Sequence, residues 1–305
     1  MSDWGSGEGR RVTAVHFITI TYNGADHIDR FLDCLAVQTD PDWRLTVIDN
    51  ASIDSSADIV ARHTDPRIAL VRNPENIGFA RASNQGIRRA AAAGAEFFII
   101  INNDTEFAPD MLTRLLAARI SAGAEVITPR IMLRDAPDKA WYVGGYLENS
   151  WVLHNVHEVE ETPDPPALRK VSFASGCCLG VSRAAFERAG LFDETFFVYW
   201  EDTELCMRFA AHGIDMIYAR DPVLFHAASS ASGGHDTPRY IALYYRSYMQ
   251  FLRKSFGNLY TLRAMARLLL RELRRDGGGR VRKSALMTIA MTRGLFAPVG
   301  ADGRL

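Results

Sequence analysis

The feature that most constrains the fold is a regular alternation of short apolar runs with amphipathic stretches between Val12 and Met132. The apolar runs are VHFITI, RLTVID, IALVRN, EFFIII and EVITPRI, and the amphipathic stretches begin near Asp26, Asp54, Gly78 and Pro109. Continuous apolar runs are typical of strands buried on both faces, and helical connections favour parallel pairing. We therefore predict an α/β fold with a mostly parallel central sheet.

Polar residues follow the predicted strands at the point where each strand ends. They are Tyr22 and Asn23, Asp49 and Asn50, Asn73, and then Asn102, Asn103 and Asp104. Open α/β sheets bind ligands outside the carboxyl ends of their strands. The sequence therefore predicts a ligand site at this edge.

The remaining chain changes character twice. Residues 133–170 are irregular and rich in proline and glycine, and a second compact block runs from Val171 to about Ala227. That block contains the strand VSFASGCCLGVS, a helix from Arg183, a helix that ends near His212, and two short strands, IDMIYA and VLFHA. Beyond Pro238 the pattern predicts helices over 240–255, 259–275 and 281–293. We expect a disordered tail over 1–11, a domain over 12–237 with halves 12–132 and 133–237, and a C-terminal helical extension over 238–305.

Charge and cysteine usage exclude several classes of protein. The chain has 35 Lys plus Arg and 36 Asp plus Glu, so it has no overall electrostatic reason to bind nucleic acid. Its four cysteines show neither metal-ligand spacing nor a disulfide framework, which indicates a reducing compartment. The N-terminus lacks the apolar core of a signal peptide, and no stretch approaches the ~20 apolar residues of a membrane span. We expect a cytoplasmic protein, either soluble or peripheral on the cytoplasmic face of the membrane.

The segment IIINNDT, residues 99–105, contains the first candidate for chemistry. An apolar strand delivers Asp104 to the predicted ligand-binding edge. Hard divalent cations such as Mg²⁺ are often held by one or two carboxylates together with substrate phosphates, so Asp104 with a diphosphate could suffice. The alternative is that Asp104 or Thr105 only caps the next turn.

The segment WEDTELCMR, residues 200–208, contains the second candidate. Asp202 lies near the predicted start of a helix, behind the aromatic residues Phe196, Phe197, Tyr199 and Trp200. A carboxylate there could act as a general base towards an attacking hydroxyl. The alternative is N-capping by Asp202, with Glu204 and Arg208 as an exposed ion pair on the helix surface.

His226 ends the apolar run VLFHA and is the third candidate. An imidazole can complete a metal site whose other ligands are oxygens. A histidine at the end of a strand is more often structural, so both interpretations stay open from this residue alone.

The order of these segments resembles a family 2 glycosyltransferase of the GT-A fold, nearest the bacterial rhamnosyltransferase-like branch. The resemblance covers about residues 13–230 and rests on ITITYNGADHIDRFLDCLAVQT, LTVIDNASIDSSADIV, NPENIGFARASNQGI, IIINNDTEFAPDML and GVSRAAFERAGLFDETFFVYWEDTELCMRFAAHG. It implies a Rossmann-like nucleotide-sugar transferase, in which 12–132 binds the nucleotide-sugar and 133–237 holds the acceptor and catalytic groups.

The resemblance also implies roles for particular residues. Donor binding would use Tyr22, Asn23, Asp49, Asn50, Asn76, Gly78 and Asn103. Asp104 would be the ligand of Mg²⁺ or Mn²⁺ at a DxD-type motif, although Asn102 replaces the first acidic residue and removes one charge. A histidine downstream of the acidic pair completes the metal site in similar transferases, which is the position of His226.

The same resemblance makes Asp202 the catalytic base, while Trp200 and Glu201 would contact the acceptor. One base and one metal suffice for direct displacement, so we predict inversion at the anomeric carbon. The branch indicates dTDP-rhamnose as donor, with UDP-sugars and GDP-sugars as alternatives. The acceptor would be a glycan or a polyprenyl-linked glycan of the cell envelope, and a homo-oligomer stays open.

The predicted helix 259–275 has a leucine face and an arginine stripe. Leu259, Leu262, Met265, Leu269 and Leu273 share one face, and the stripe consists of Arg263, Arg267, Arg271 and Arg274. Such a helix either lies on anionic lipid or packs on the domain with a solvated basic face.

Three rival functions are weaker. A dinucleotide-dependent oxidoreductase would need GxGxxG at the first turn, where this chain has TYNGADH. A nucleotidyltransferase would need a glycine-rich basic loop near the first strand, and this sequence has none there. A catalytically inactive nucleotide-sugar-binding module remains the principal alternative, and Asp202 distinguishes it because binding needs no base.

Overall fold

A computed structural model of the chain describes residues 15–148, 152–155, 166–227, 237–273 and 280–298. The predicted disordered tail over 1–11 lies outside these ranges. The strands are β1 (Val15–Thr21), β2 (Trp43–Asp49), β3 (Ile68–Arg72), β4 (Phe97–Ile101), β5 (Thr105–Phe107), β6 (Val126–Leu133), β7 (Ala136–Tyr142), β8 (Gly145–Glu148), β9 (Val152–Asn155), β10 (Leu168–Val171), β11 (Cys178–Ser182) and β12 (Met216–His226). The helices are α1 (Ala25–Ala36), α2 (Ser56–Arg62), α3 (Phe79–Ala92), α4 (Met111–Ala122), α5 (Arg183–Ala189), α6 (Glu201–Ala211), α7 (Pro238–Phe256), α8 (Asn258–Leu273) and α9 (Arg280–Leu295).

The predicted α/β fold with a mostly parallel central sheet is confirmed. β1 pairs in parallel with both β2 and β4, and β2 pairs in parallel with β3. All five residues of β4 are buried, because helices cover both faces of this part of the sheet. The carboxyl ends of these strands consequently meet at one edge, where the polar turn residues lie.

The second half of the sheet departs from the prediction. β6, the run EVITPRI, does not continue the parallel series beside β4. Instead β11 lies between β4 and β6 and pairs antiparallel with both strands. β11 is entirely buried and comes from the later compact block, so the pairing joins segments that are far apart in sequence. A local pattern of apolar residues contains no information on such a partner.

The two short strands predicted over IDMIYA and VLFHA form one strand, β12. An irregularity between Ala219 and Val223 interrupts its register with β6, at the position of Asp221 and Pro222. Proline lacks the N–H that a regular ladder needs. Beyond the irregularity β12 also pairs antiparallel with β5, with His226 opposite Thr105.

The three predicted C-terminal helices are present as α7, α8 and α9. α7 attaches this extension to the segment before α6: the Ser247 hydroxyl donates to the Val198 carbonyl at 2.8 Å, and the Gln250 amide donates to the Thr195 hydroxyl at 2.7 Å. None of the described helices combines the length and apolar character that a membrane crossing requires.

The predicted faces of α8 need correction. Leu259 and Leu262 are exposed and lie on the same side as Arg263 and Arg267, whereas Thr261 is buried. The inner face also includes Ala264, Met265, Leu268 and Leu269, which pack against the core. The leucines therefore divide between two faces, because α8 packs on α7 and α9 along an arc centred nearer Thr261 and Met265. Arg274 lies outside the described residues, and so do the side chains of Arg271 and Leu273.

Candidate functional site

The pairing of β5 with β12 brings Asp104 and His226 together. His226 lies opposite Thr105 in the ladder, and the N–H of Ala227 donates to the Asp104 carbonyl at 3.0 Å. The His226 Nε2 atom is 3.1 Å from the Asp104 Oδ1 atom, and both side chains are buried. The Thr105 hydroxyl closes the turn by donating to the Asn102 carbonyl, so the Asp104 carboxylate is not needed for that purpose.

This pair fits part of a divalent-metal site. A carboxylate oxygen and an imidazole nitrogen are both ordinary ligands of divalent ions. The His226 Nδ1 atom is buried and has no hydrogen-bond partner within the described ranges. The described residues contain no group of three or more His, Cys, Asp or Glu side chains arranged to hold a metal. Within the described residues, a cation here would have two such side-chain ligands and would need others, which phosphate oxygens of a ligand could supply.

Asp202 lies in the first turn of α6 and is fixed by backbone groups. Its Oδ2 atom accepts the N–H of Gly176 at 3.0 Å, and its Oδ1 atom accepts the N–H of Thr203 at 2.7 Å. Trp200, not Asp202, occupies the N-cap position, and its side chain makes no capping hydrogen bond. Asp202 is therefore not the N-cap residue, although its carboxylate does satisfy the N–H of Thr203 in the first turn.

The segment Gly176–Cys177 lies next to both candidate carboxylates. Gly176 binds Asp202, while the Cys177 carbonyl accepts the N–H of Asn102 at 2.9 Å at the start of the turn that carries Asp104. Burial raises the pKa of the Cys177 thiol well above its usual range, and the negative charges of Asp104 and Asp202 raise it further. The two carboxylates thus share one neighbourhood at the edge of the sheet.

Glu201 and Asp202 are adjacent carboxyl groups, of which Glu201 is buried and Asp202 is half-buried. Burial raises the pKa of Glu201 well above its usual range, and the Asp202 charge adds to the effect. Burial also raises the pKa of Asp202, but the hydrogen bonds from Gly176 and Thr203 oppose that rise. The pKa of Glu201 is raised the more strongly of the two, so we expect Asp202 to ionise first. The Glu201 Oε2 atom has no hydrogen-bond partner among the described residues.

The turns after β1 and β2 are locked to each other. The N–H of Asn23 donates to the Ser52 hydroxyl, and the N–H of Ile53 donates to the Asn23 side-chain oxygen, both at 2.9 Å. Asn23 and Ala51 have positive φ values of 55° and 62°. The only other described non-glycine residues with positive φ are Tyr199 and Trp200, which immediately precede α6. Backbone strain of this kind concentrates at functional sites, and here all of it lies around the candidate site.

The predicted donor residues Asn50, Asn76 and Gly78 belong to one hydrogen-bonded network. Asn50 donates to the Gly78 carbonyl at 3.2 Å and accepts from Asn73 at 2.9 Å, while Asn76 accepts the N–H of Gly78 at 3.0 Å. The amides of Asn50 and Asn76 thus hold the turns in place. The buried Asp49 Oδ1 atom, in contrast, has no hydrogen-bond partner in the described structure.

Two further predicted residues lie at this edge. A Cβ atom at Gly24 would come within 2.7 Å of the Asn103 Nδ2 atom, so the first turn approaches the Asp104 turn closely. The Asn103 Nδ2 atom is a buried donor with no hydrogen-bond partner in the described ranges. At Tyr22, the Arg239 guanidinium lies 5.3 Å from the centre of the ring. Tyr22 is therefore in contact with the first turn of α7.

Sequence reasoning missed the contribution of α7 to the site. The Trp200 ring lies 4.4 Å from Tyr248, 5.1 Å from Phe251 and 5.5 Å from Tyr244, measured between ring centres. Tyr199 likewise contacts Tyr240 at 5.2 Å. The signal was present, because tyrosines at 240, 244 and 248 recur every four residues on one helix face. These rings extend the aromatic surface beside Asp202.

The expectation that Glu204 lies on the helix surface is wrong. Glu204 is buried and binds Arg208 at 2.9 Å and Lys254 at 2.7 Å. Lys254 also binds the fully buried Asp193 at 2.9 Å. α7 covers this face of α6, so the surface pair predicted from spacing became part of a buried network of four charges.

Comparison with known proteins decides the family. The sequence profile described as Glycosyl transferase family 2 matches residues 16–190, which is more than half of the chain. The chain belongs to this family. The matched range includes β1, the donor turns, Asp104 and Gly176, while Asp202 and His226 follow it.

Two curated relatives of this family member are rhamnosyltransferases. The N-acetylglucosaminyl-diphospho-decaprenol L-rhamnosyltransferase of Mycobacterium tuberculosis is 29% identical over 77% of this chain and 82% of its own length. The dTDP-rhamnosyl transferase RfbF of Shigella flexneri is 26% identical over 72% of this chain and 70% of its own length. The predicted resemblance to rhamnosyltransferase-like family 2 enzymes is thereby confirmed.

Solved structures support the GT-A fold. The mannosyltransferase PcManGT of Pyrobaculum calidifontis, in complex with GDP-Man and Mn²⁺, superposes with a TM-score of 0.57 at 18% identity, over 93% of this chain and 87% of that chain. GalNAc-T7 with UDP, GalNAc and Mn²⁺ gives a TM-score of 0.63 at 13% identity, over 92% of this chain and 55% of that chain. At these identities the likeness concerns the fold alone.

Proposed function

We propose that this glycosyltransferase moves a sugar from a nucleoside-diphosphate donor to an acceptor hydroxyl with inversion at the anomeric carbon. The observation that carries the proposal is the placement of two candidate groups around Gly176–Cys177. The base candidate Asp202 accepts the N–H of Gly176, and the Cys177 carbonyl accepts the N–H of Asn102 at the start of the turn that carries Asp104, the partner of His226. Direct displacement needs these groups beside one substrate.

Asp202 takes the proton from the acceptor hydroxyl. Its raised pKa makes it a stronger base than an exposed aspartate, while the hydrogen bonds from Gly176 and Thr203 hold its oxygens in position. Oδ1 accepts both the N–H and the hydroxyl of Thr203, while Oδ2 accepts only the Gly176 N–H, so Oδ2 keeps a lone pair for the acceptor. The raised pKa of Glu201 favours its protonated form, which would donate a hydrogen bond to an acceptor oxygen.

The donor occupies the edge formed by the turns after β1, β2 and β3. Asp49 would accept from a ribose hydroxyl, since its Oδ1 atom is a buried acceptor without a protein partner in the described structure. Asn103 would donate to the sugar or diphosphate from its buried amide nitrogen. Tyr22, Asn23, Asn50, Asn76 and Gly78 shape this pocket.

Asp104 and His226 would hold a divalent cation, Mg²⁺ or Mn²⁺, together with diphosphate oxygens of the donor. Such an ion, when bound, stabilises the negative charge of the departing diphosphate. The replacement of DxD by NND leaves one carboxylate fewer, so we expect the cation to bind chiefly with the donor.

The names of the two rhamnosyltransferase relatives indicate a donor and an acceptor. One is named for dTDP-rhamnose and the other for a decaprenol-diphosphate acceptor, so we propose dTDP-rhamnose as donor and a polyprenyl-diphosphate-linked glycan as acceptor, in cell-envelope polysaccharide synthesis at the membrane surface. Trp200, with the tyrosines of α7, would form the apolar surface on which the acceptor sugar packs.

A screen of nucleotide-sugars tests the proposal. We expect dTDP-rhamnose to raise the melting temperature of the protein in the presence of Mn²⁺ or Mg²⁺ and to do so less with EDTA, because a ligand of the folded form stabilises it. UDP-sugars and GDP-sugars are the comparison ligands. Transfer to a polyprenyl-diphosphate-linked sugar then distinguishes an enzyme from an inactive binding module, which would show the stabilisation without the transfer.

A further inference from the structure

The C-terminal segment that contains α8 and α9 has a concentration of positive charge. Residues 257–298 contain nine arginine and lysine side chains and two carboxylates, a net charge of +7, although the whole chain has a net charge of −1. The rest of the molecule is therefore acidic. A charge separation of this size orients the protein in the field of a charged surface.

The same helices carry most of the exposed large apolar side chains. Of the nine such residues in the described ranges, five lie in α8, in α9 or just after α9: Leu259, Leu262, Leu270, Ile289 and Phe296. Leu259 is 64% exposed and Phe296 is 82% exposed. Exposed apolar residues that cluster on one part of a protein indicate an interaction surface.

Apolar and basic residues share the outer faces of both helices. Among the side chains that the structure describes, the exposed ones on α8 are Asn258, Leu259, Leu262, Arg263, Ala266, Arg267 and Leu270, and those on α9 and just beyond are Ala285, Ile289, Thr292, Arg293, Phe296 and Pro298. Neither set contains an acidic residue. Arg263 and Arg267 form no ion pair with any described residue. Leucines that insert and arginines that pair with phosphates are the two requirements of a helix that lies on lipid.

A row of aromatic rings connects this surface with the candidate site. Trp200, beside Asp202, stacks on Phe251 at 5.1 Å, Phe251 contacts Phe256 at 6.1 Å, and Phe256 contacts Tyr260 at 5.2 Å. Tyr260 lies in the first turn of α8, next to Leu259. The surface and the site are therefore parts of one packed unit, and binding at the surface would fix the site at a set distance from it.

We propose that the outer faces of α8 and α9 form a docking surface for an anionic lipid bilayer. The proposal rests on the proposed function, because it explains how an enzyme whose acceptor is anchored in lipid keeps its site at the membrane. Leu259, Leu262 and Leu270 insert among the acyl chains, while Arg263 and Arg267 bind lipid phosphates. A second copy of the chain is a poorer occupant, since two faces of the same positive charge repel each other.

Flotation of the full-length protein with vesicles tests the surface. We expect it to float with vesicles of phosphatidylcholine and phosphatidylglycerol, and much less with phosphatidylcholine alone. Arg263→Gln combined with Arg267→Gln should weaken binding about twenty-five-fold, at about fivefold for each arginine. Leu259→Ser combined with Leu262→Ser should weaken it about tenfold or more. All four side chains are exposed, so the variants should melt as the wild type does.

Matched controls use exposed residues elsewhere. Ile120→Ser removes an exposed apolar side chain from α4, and Arg62→Gln with Arg114→Gln removes two exposed arginines from α2 and α4. These variants should bind vesicles as the wild type does. Equal loss in the controls, equal binding to neutral and anionic vesicles, or no flotation of the wild type would each overturn the proposal. The proposal would also be overturned if the wild type bound no vesicles and sedimentation velocity showed a wild-type dimer that the Leu259→Ser, Leu262→Ser variant no longer forms.

A separate readout keeps this proposal distinct from the proposed function. Release of nucleoside diphosphate from the donor, measured with a water-soluble acceptor and no vesicles, should be the same in the docking variants and in the wild type. Vesicle binding that depends on α8 in a protein without transferase activity would support the docking surface and refute the enzyme. Transferase activity without vesicle binding would support the enzyme and refute the docking surface.

Discussion

The Asp202 carboxylate accepts the backbone N–H of Gly176 at 3.0 Å, and this bond ties the first turn of α6 to the centre of the sheet. Gly176 precedes Cys177, whose carbonyl binds the turn that leads to Asp104. A Cβ atom at Gly176 would lie 3.3 Å from the Asp202 Cβ atom and from Oδ2, so the two segments are in close contact. A base held in this way keeps one orientation, as general-base catalysis requires.

Gly78 should be intolerant of a side chain. It has φ 86° and ψ 168°, and a Cβ atom would lie 2.5 Å from the Phe197 carbonyl oxygen. Gly257 has nearly the same conformation, φ 81° and ψ 172°, but nothing lies within 4 Å of its Cβ position. We expect Gly257→Ala to cost about 1–3 kcal/mol of unfolding free energy from strain alone. Gly78→Ala should in addition lower kcat/KM about a hundredfold, because it moves Phe197 and the segment before Asp202. Equal kinetics in the two variants would show that this contact does not position the site.

Asp104 and His226 should determine the metal dependence of donor binding. Thermal stabilisation by the donor with Mn²⁺ amounts to about 2.7 kcal/mol at a hundredfold excess over Kd. In the wild type, EDTA should remove the metal-dependent part of this stabilisation. We expect Asp104→Asn and His226→Gln to lose most of that metal-dependent stabilisation. Asp215→Asn is the matched control, since Asp215 forms an exposed ion pair with Lys170. Undiminished metal-dependent stabilisation in both site variants would refute the ligand assignment.

Much of the proposed donor-binding edge of the sheet could be predicted from the sequence. Apolar runs that end in polar residues fix which side chains lie at the carboxyl ends of parallel strands, and this argument located Asp49, Asn50 and Asp104. The period of the C-terminal helices gave α7, α8 and α9 within a few residues. These features depend on local spacing, which a single sequence contains.

Other features of the site depend on pairing that no local pattern encodes. β5 has three residues, yet its ladder with β12 is what brings His226 to Asp104. The group that fixes Asp202 is a backbone N–H, and every residue except proline offers one. Spacing correctly paired Glu204 with Arg208, but burial by α7 changed an exposed pair into an internal network. The four-residue spacing of the α7 tyrosines could be read from the sequence, but their contact with Trp200 could not.

Lys254 should be important for stability. Its ammonium group compensates two buried carboxylates, Asp193 and Glu204. Lys254→Met leaves Asp193 without its cation, and a broken buried pair typically costs about 3–5 kcal/mol. Lys170→Met, which removes an exposed pair with Asp215, should cost about 0–1 kcal/mol. Denaturant unfolding of the two variants measures the difference, and similar values would mean that solvent screens the Lys254 network.

Glu201 should make stability depend on pH. Its folded-state pKa is raised, so between its unfolded and folded pKa values the folded protein binds a proton that the unfolded chain has lost. Stability from this group is thus complete below the unfolded pKa of about 4.3 and falls as pH rises towards the folded pKa. Glu201→Gln removes this pH-dependent contribution to stability, because glutamine does not titrate. We expect the unfolding free energy of Glu201→Gln, relative to the wild type, to increase between acidic and mildly alkaline pH, and a constant difference would contradict a protonated Glu201.

The most direct test of the proposed chemistry is the single-turnover rate of sugar transfer by Asp202→Asn, measured beside Glu201→Gln. Asparagine keeps the shape of Asp202 but cannot take a proton, so we expect donor affinity to stay near the wild-type value while the rate falls about a hundredfold to ten-thousandfold. Glu201→Gln should transfer at close to the wild-type rate, because glutamine resembles a protonated glutamate. A rate for Asp202→Asn close to that of the wild type would show that Asp202 is not the base.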